Sequence, residues 1–280
     1  MAGIVRTARR PAGWVAPGPR PRGDDGRPEL QPADDEDLCF LTGEWRLFQK
    51  QQGHRWSLDD LVTAAVAAPH AQSLGANRML DIGCGLGSVL MMMAWRFPEA
   101  DVTGIEAQAD RAAMGRRSIL WNGVEARCRI LDGDLREPHV LPAEARFPLI
   151  TGTPPYFPRG TGPESDKSHA AACRFEVRGG IEVYCEAAAR WLTPEGRFVV
   201  CTAALEAARV VASAQEAQLH VIEHVDIVPR EGKDVLVMID VLAREASPLV
   251  RRTLTVRDTR SQWTPEFQAV REAMGFPPLR

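Results

Sequence analysis

From Arg78 onward the chain alternates short apolar runs with longer stretches whose apolar residues recur at three- and four-residue spacing. "RMLDIG" (78–83), "DVTGIE" (101–106), "RCRILDGD" (127–134), "FPLITG" (147–152) and "RFVVCTA" (197–203) read as strands. "SVLMMMAWRF", "QADRAAMGRRSILWN", "GGIEVYCEAAARWL" and "LEAARVVASAQEAQ" lie between or after them and read as helices. Strands that alternate with helices build a mostly parallel sheet covered on both faces, so the chain is expected to be α/β. The runs "LHVIEHVDIVP" and "KDVLVMIDVLA", separated only by "REG", predict an antiparallel hairpin on the sheet's edge. Near the end, Thr264 before Pro265 and Glu266 is a helix start, and the residues after it form a short amphipathic helix.

Composition narrows the class further. With 45% hydrophobic and 25% charged residues among 280, the chain carries enough apolar material for a large core. A formal net charge of -3 argues against a surface coated in positive charge, while leaving room for a local basic face. Six cysteines show no C-x-x-C pair and no metal-ligand spacing; they read as reduced thiols, and no metal is expected. No apolar run reaches 18 residues and no apolar leader opens the chain, so a cytoplasmic protein without membrane association is expected. Residues 1–38 carry six arginines up to Arg27, several prolines and the acidic run "DDEDL". They are expected to be a disordered tail, with RNA binding and organelle targeting as alternatives, ahead of a single domain over 39–280.

"LDIGCGLGSVL" (80–90) sets three glycines at alternate positions between a strand and a helix. Glycine is required where backbone turns sharply or must approach a ligand closely. The spacing fits neither G-x-G-x-x-G, because Ser88 stands at its last position, nor a P-loop. It fits D-x-G-x-G-x-G, with Asp81 leading. A carboxylate there repels pyrophosphate but pairs with an ammonium group. The next strand ends at Glu106, where α/β folds place an acid on ribose hydroxyls, and the third ends at Asp132 and Asp134. An acid at each of three successive strand ends describes a pocket for a cationic, ribose-bearing cofactor without phosphate, and S-adenosylmethionine has those features.

The fourth strand ends in "TGTPPYFP" (151–158) on the same edge. With the glycine loop, this corner resembles the class I S-adenosylmethionine-dependent methyltransferases, and among them those with an N-P-P-Y type motif that methylate a planar amine or amide. The resemblance implies a Rossmann-like fold with a seven-stranded mostly parallel sheet and an antiparallel C-terminal hairpin strand. It also implies that Thr153, Pro154, Pro155 and Tyr156 form the acceptor site, with Phe157 as apolar wall. Thr153 stands where asparagine or aspartate is usual, a shorter and β-branched acceptor.

Further segments are similar to bacterial tRNA adenine-N6-methyltransferases acting beside the anticodon of valine tRNA. They are "FQKQQGHRWSLDDLVTAAVAA" (48–68), "PPYF" (154–157), "RFE" (174–176) and "LTVRDTRSQWTPEFQAV" (254–270). His54, Trp56 and Trp263 depart from that family's aromatic pattern. By this resemblance Asp81, Gly83, Gly85 and Gly87 frame the methionine end of the cofactor. Glu106 with Ala107 meets the ribose, and Asp134, with Asp132, faces the adenine. Arg55, Ser57 and Asp59 lie in a lid-like segment. Arg55, Phe157, Arg159 and Arg174 are expected on the substrate, with Lys167, His169 and Arg178 as further tRNA contacts. The implied reaction is methylation of adenine N6 in tRNA by a monomer, a dimer being the alternative. Thr153 keeps other readings open: a protein glutamine, another nucleobase or a small molecule as acceptor, or a cofactor-binding RNA or assembly module without catalysis.

Overall fold

A computed structural model describes residues 3–7, 10–53, 55–156 and 178–278. The front of the chain forms a three-stranded sheet of β1 (Ile4–Val5), β2 (Glu36–Phe40) and β3 (Arg46–Lys50), with β1 parallel and β3 antiparallel to β2. Then follow α1 (Leu58–Ser73), β4 (Arg78–Ile82), α2 (Ser88–Arg96), β5 (Asp101–Glu106), α3 (Ala109–Asn122), β6 (Cys128–Asp132) and β7 (Phe147–Gly152). The second half contains α4 (Ile181–Trp191), β8 (Leu192–Ala203), α5 (Ala207–Glu216), β9 (His220–Val228), β10 (Val237–Ala243), β11 (Val250–Thr255) and α6 (Pro265–Ala273).

Eight strands make the main sheet in the order β6-β5-β4-β7-β8-β10-β9-β11. β6, β5, β4, β7 and β8 run parallel, and β10 is antiparallel to both β8 and β9. The expected hairpin is therefore present, but β10 inserts between β8 and β9. "VRRTLT" (250–255), not foreseen as a strand, adds β11 parallel to β9 and makes the sheet eight-stranded rather than seven. It covers a row of backbone groups that β9 would otherwise leave open at the edge.

Alternation along each buried strand divides the core in two. Met79 on β4 and Val199 and Cys201 on β8 join one apolar cluster with α1, α2 and the front sheet. Leu80, Ile82, Phe198 and Val200 point the other way, into a cluster with α4 and α5. After β4 the chain builds outward to β5 and β6, and then returns to lay β7 on β4's other side. That reversal opens a crevice beyond the carboxyl ends of β4 and β7, the place where open parallel sheets bind ligands.

Residues of the arginine- and proline-rich segment, expected as a disordered tail, lie against the domain in the structure. β1 pairs with β2, the Arg10 guanidinium stacks over Phe40 and bonds Glu44, Arg22 pairs with Glu125, and Leu30 is fully buried. Composition alone suggested that such a segment could not bury enough apolar area. The arm instead gains from arginine stems laid on aromatic faces and from a borrowed strand edge. Replacing Leu30 with alanine is expected to lower unfolding free energy by about 2–4 kcal/mol. Denaturant titration checks this, and an unchanged midpoint would mean that the arm is not docked.

On β9, His224 bridges two carboxylates, Nδ1 meeting Asp240 at 2.7 Å and Nε2 meeting Asp226 at 3.1 Å. The Asp240 hydrogen bond raises the His224 pKa above its ordinary value, against the opposing effect of burial. A raised folded-state pKa contributes stability below the unfolded value near 6.5, and that contribution is lost as pH rises through the folded value. Wild type is therefore expected to lose more stability than His224→Gln between pH 6 and pH 9. Equal pH slopes in the two titrations would refute the assignment.

Candidate active site

The crevice is a cleft floored by the glycine loop and walled by α1's first turn, the ends of β5, β6 and β7, and the start of α4. Gly83, Gly85 and Gly87 all have positive φ, at 64°, 56° and 80°. At Gly83 a Cβ would lie 2.0 Å from the Tyr184 hydroxyl, and at Gly85 it would lie 2.7 Å from the Arg111 guanidinium. Both positions thus need glycine for backbone shape and for space.

Glu106 locks this loop. Its buried carboxylate accepts the Gly85 N–H at 2.8 Å through Oε2 and the Gln108 N–H at 2.7 Å through Oε1. The Gly85 amide, a donor that a pyrophosphate would need, is already taken by the protein's own negative charge. Each carboxylate oxygen keeps lone-pair capacity for a ligand hydroxyl.

Asp81 plays a different part from the one its place in the sequence suggested. It lies behind the loop, away from the cleft lining, where Oδ2 accepts the Leu90 N–H at 3.1 Å and Oδ1 accepts the Thr151 hydroxyl at 2.8 Å. Burial is the main cause of a pKa pushed up to about 7, with the nearby charges of Asp60 and Glu106 adding to it. It ties β4, α2 and β7 together beneath the loop.

The carboxylate that does face the cleft near Gly83 and Ser88 is Asp60. It accepts the Ser57 N–H at 2.8 Å and the Ser88 hydroxyl at 2.5 Å, so it caps α1 and touches the loop together. Burial, then the neighbouring Asp59, pushes its pKa up to about 7. The spacing Ser57 to Asp60 is the sequence signature of a capping pair, which was legible; its place on the cleft was not.

Thr153, Pro154, Pro155 and Tyr156, expected at the acceptor, all line the cleft. The Tyr156 hydroxyl donates to Asp59 Oδ2 at 2.7 Å and lies 3.3 Å from Cys201 Sγ. Burial above all, together with Cys201 and Asp59, raises its pKa well above the ordinary value, so it stays a donor. Its hydroxyl is anchored to α1, leaving the ring as wall.

Other expected positions divide. Gly83, Gly85, Glu106, Ala107 and Asp134 line the cleft; Gly87 caps α2 and does not. Asp134 is held by Arg136 at 2.7 Å and approached by Arg178 at 3.6 Å, and the Arg136 bond chiefly lowers its pKa. Asp132 is exposed, pairs with Arg116 at 2.6 Å and is not part of the lining. The strand ends at Asp132, and the two residues that carry the chain off it to Asp134 decide between them. Arg55 also turns away, to Asp37 and the Lys50 carbonyl, each at 2.9 Å. Phe157, Arg159, Lys167, His169 and Arg174 lie outside the described residues. Trp56, Arg111 and Tyr184 also line the cleft, without a sequence signal of their own. Among the described residues no cluster of His, Cys, Asp or Glu could hold a metal ion, and no helix is long and apolar enough to cross a membrane.

These observations fit S-adenosylmethionine. Asp60 and Glu106 offer negative charge and acceptors for an ammonium group and ribose hydroxyls, Leu135 and Val183 offer apolar walls, and the loop amide that would bind phosphate is engaged internally. Sheet order and the cleft at its carboxyl edge are those of the class I methyltransferase fold. Residues 79–159 match a family described as a methyltransferase domain. The chain is 27% identical over 201 residues to the tRNA1(Val) (adenine(37)-N6)-methyltransferase of Tolumonas auensis, covering 70% of this chain and 81% of that one. Identity is 29% over 211 residues to the enzyme of the same name from Yersinia pestis, covering 69% and 77%. A solved structure described as a predicted O-methyltransferase from Agrobacterium tumefaciens superposes with a TM-score of 0.59 at 21% identity. It covers 80% of this chain and all of its own, and supports the fold.

Glu106→Ala is expected to weaken S-adenosylhomocysteine binding by roughly 1–3 kcal/mol, the usual cost of removing a charged partner from buried hydrogen bonds. Asp132→Ala should leave affinity unchanged. Calorimetric titration of both variants decides, and the reverse ranking would overturn the assignment.

Proposed function

We propose that the chain transfers a methyl group from S-adenosylmethionine to N6 of an adenine in tRNA, in the cytoplasm. The observation that carries this reading is the Thr153-Pro154-Pro155-Tyr156 corner facing the same cleft as the glycine loop and Glu106. The tRNA and the adenine come from the names of the relatives, which match most of the chain.

When bound, the cofactor supplies an electrophilic methyl carbon on a sulfonium; the chain's own part is positional. Gly83, Asp60 and Ser88 would hold the methionine end, Glu106 the ribose, and Leu135 with Asp134 the adenine side of the cofactor. At the acceptor corner the two prolines fix φ, so Thr153 and the carbonyl of Pro154 stay aimed without ordering cost on binding. An exocyclic amine conjugated with its ring is a poor nucleophile. Acceptors that engage its N–H groups from one side favour a geometry in which the nitrogen lone pair leaves conjugation. Tyr156, its hydroxyl held by Asp59, offers a fixed aromatic face on which the base can stack.

Mass-spectrometric nucleoside analysis of tRNA incubated with the protein and labelled cofactor tests the reaction, with labelled N6-methyladenosine expected. No labelled nucleoside, with cofactor binding intact, would remove tRNA as the substrate. Tyr156→Ala is expected to lower kcat at least tenfold while S-adenosylhomocysteine affinity changes less than threefold. Equal losses in both would place the ring on the cofactor rather than the acceptor.

A further inference from the structure

Asp37, on β2, is fully buried and would be costly there as a lone charge. It is compensated from three directions. Arg6 of the N-terminal arm reaches Oδ2 with Nε at 3.0 Å and Nη2 at 2.8 Å, Arg55 reaches the same oxygen at 2.9 Å, and Gln49 Nε2 donates to Oδ1 at 3.0 Å. Two of these partners bracket Trp56. Arg55 is its chain neighbour, and the Gln49 side-chain Oε1 accepts the Trp56 backbone N–H at 3.3 Å.

The indole is fixed as firmly as its backbone. Its Nε1 donates to Cys39 Sγ at 3.2 Å, and its ring packs on Phe276 with centroids 6.0 Å apart at 40°. Part of the side chain is left on the cleft, which it lines together with Tyr156. Three residues along the same segment, Asp59 holds the Tyr156 hydroxyl, so the two aromatic walls are placed through one stretch of backbone. A rigid, half-buried indole with no hydrogen-bonding capacity left over is suited to a planar apolar face and not to a charged group.

The geometry points to Trp56 as a second aromatic contact for the acceptor base, and to Asp37 as the positioning residue that sets it through Arg55 and Gln49. The N-terminal arm, through Arg6, is then a working part of the acceptor site. This rests on the proposed methylation of a base in RNA. It places the acceptor between walls supplied by the front of the chain and by the β7 corner.

The test compares wild type, Trp56→Ala, Trp56→Phe and Arg6→Ala in two measurements. In the first, kcat and KM for tRNA are set beside S-adenosylhomocysteine affinity. Trp56→Ala is expected to reduce kcat/KM at least tenfold with cofactor-product affinity within threefold of wild type, and Trp56→Phe to recover most of the loss. Arg6→Ala, outside the cleft lining, should raise KM for tRNA several-fold while circular dichroism stays unchanged. In the second, adenosine 5′-monophosphate is titrated into protein saturated with S-adenosylhomocysteine, and tryptophan emission is read. Wild type should be quenched and Trp56→Phe should lose that response.

The inference is overturned if Trp56→Ala keeps wild-type kcat/KM, if cofactor-product affinity falls as far as kcat/KM, or if Trp56→Phe is quenched like wild type. Wild type that methylates no RNA yet shows Trp56-dependent quenching by the nucleotide would overturn the tRNA reading and retain the base contact. Wild type neither active nor quenched would overturn both.

Discussion

The hydrogen bond from the Gly85 amide to the buried Glu106 carboxylate joins two strand ends that are neighbours only because β4 and β5 pair in parallel. With that amide occupied, the glycine loop keeps its turn but loses the anion-binding character that such loops have in nucleotide-binding folds. With Asp60 on the same cleft, this contact suits the site to a cationic ligand without phosphate. Asp81 supports it from beneath, binding α2 and β7 to the strand on which the loop begins. A carboxylate on each side of a five-residue loop would be unfavourable if both were solvent-facing charges. It is tolerated because each carboxylate is satisfied by backbone or hydroxyl donors.

The second half of the site is built across the sheet. The proline-stiffened end of β7 and the first turn of α1 meet through Tyr156 and Asp59, residues 97 positions apart in sequence. The first turn of α1 is in turn held by Asp60 to Ser88 at the start of α2. One short stretch, 56–60, therefore touches both the glycine-loop side and the β7 side of the cleft. Behind it stands the small front sheet, with Asp37 collecting two arginines and a glutamine. Segments that composition marks as peripheral thus bear on the geometry where an acceptor would be aligned.

Much of this is legible in the sequence. Strand and helix order from Arg78 onward, the acidic residues closing three strands, the departure from dinucleotide spacing and the stiff corner at Thr153 to Tyr156 all follow from local patterns. What failed to show was direction and depth. Asp132 and Asp134 differ by two residues, yet one is exposed on Arg116 and the other lines the cleft, because the chain leaves the strand between them. Arg55 looked like a substrate ligand and is a partner of a buried acid. The arm reads as unstructured because its proline- and glycine-rich composition offers little apolar area, whereas Arg10 laid over Trp14 and Phe40 uses its guanidinium plane as apolar cover.

By itself, then, the sequence determined the alternation that makes the parallel sheet, the glycine positions that make the loop, and the residue types offered at each strand end. These depend on periodicity, on φ and on local side-chain chemistry, which a single chain segment carries within it. Only the tertiary structure decided which carboxylates face the cleft, which are consumed beneath it, and that Trp56, Asp60 and Tyr184 stand beside residues far away in the chain. Those outcomes depend on burial and on pairing between distant elements, and a charge's worth is set by the dielectric and the partners around it rather than by its neighbours in sequence.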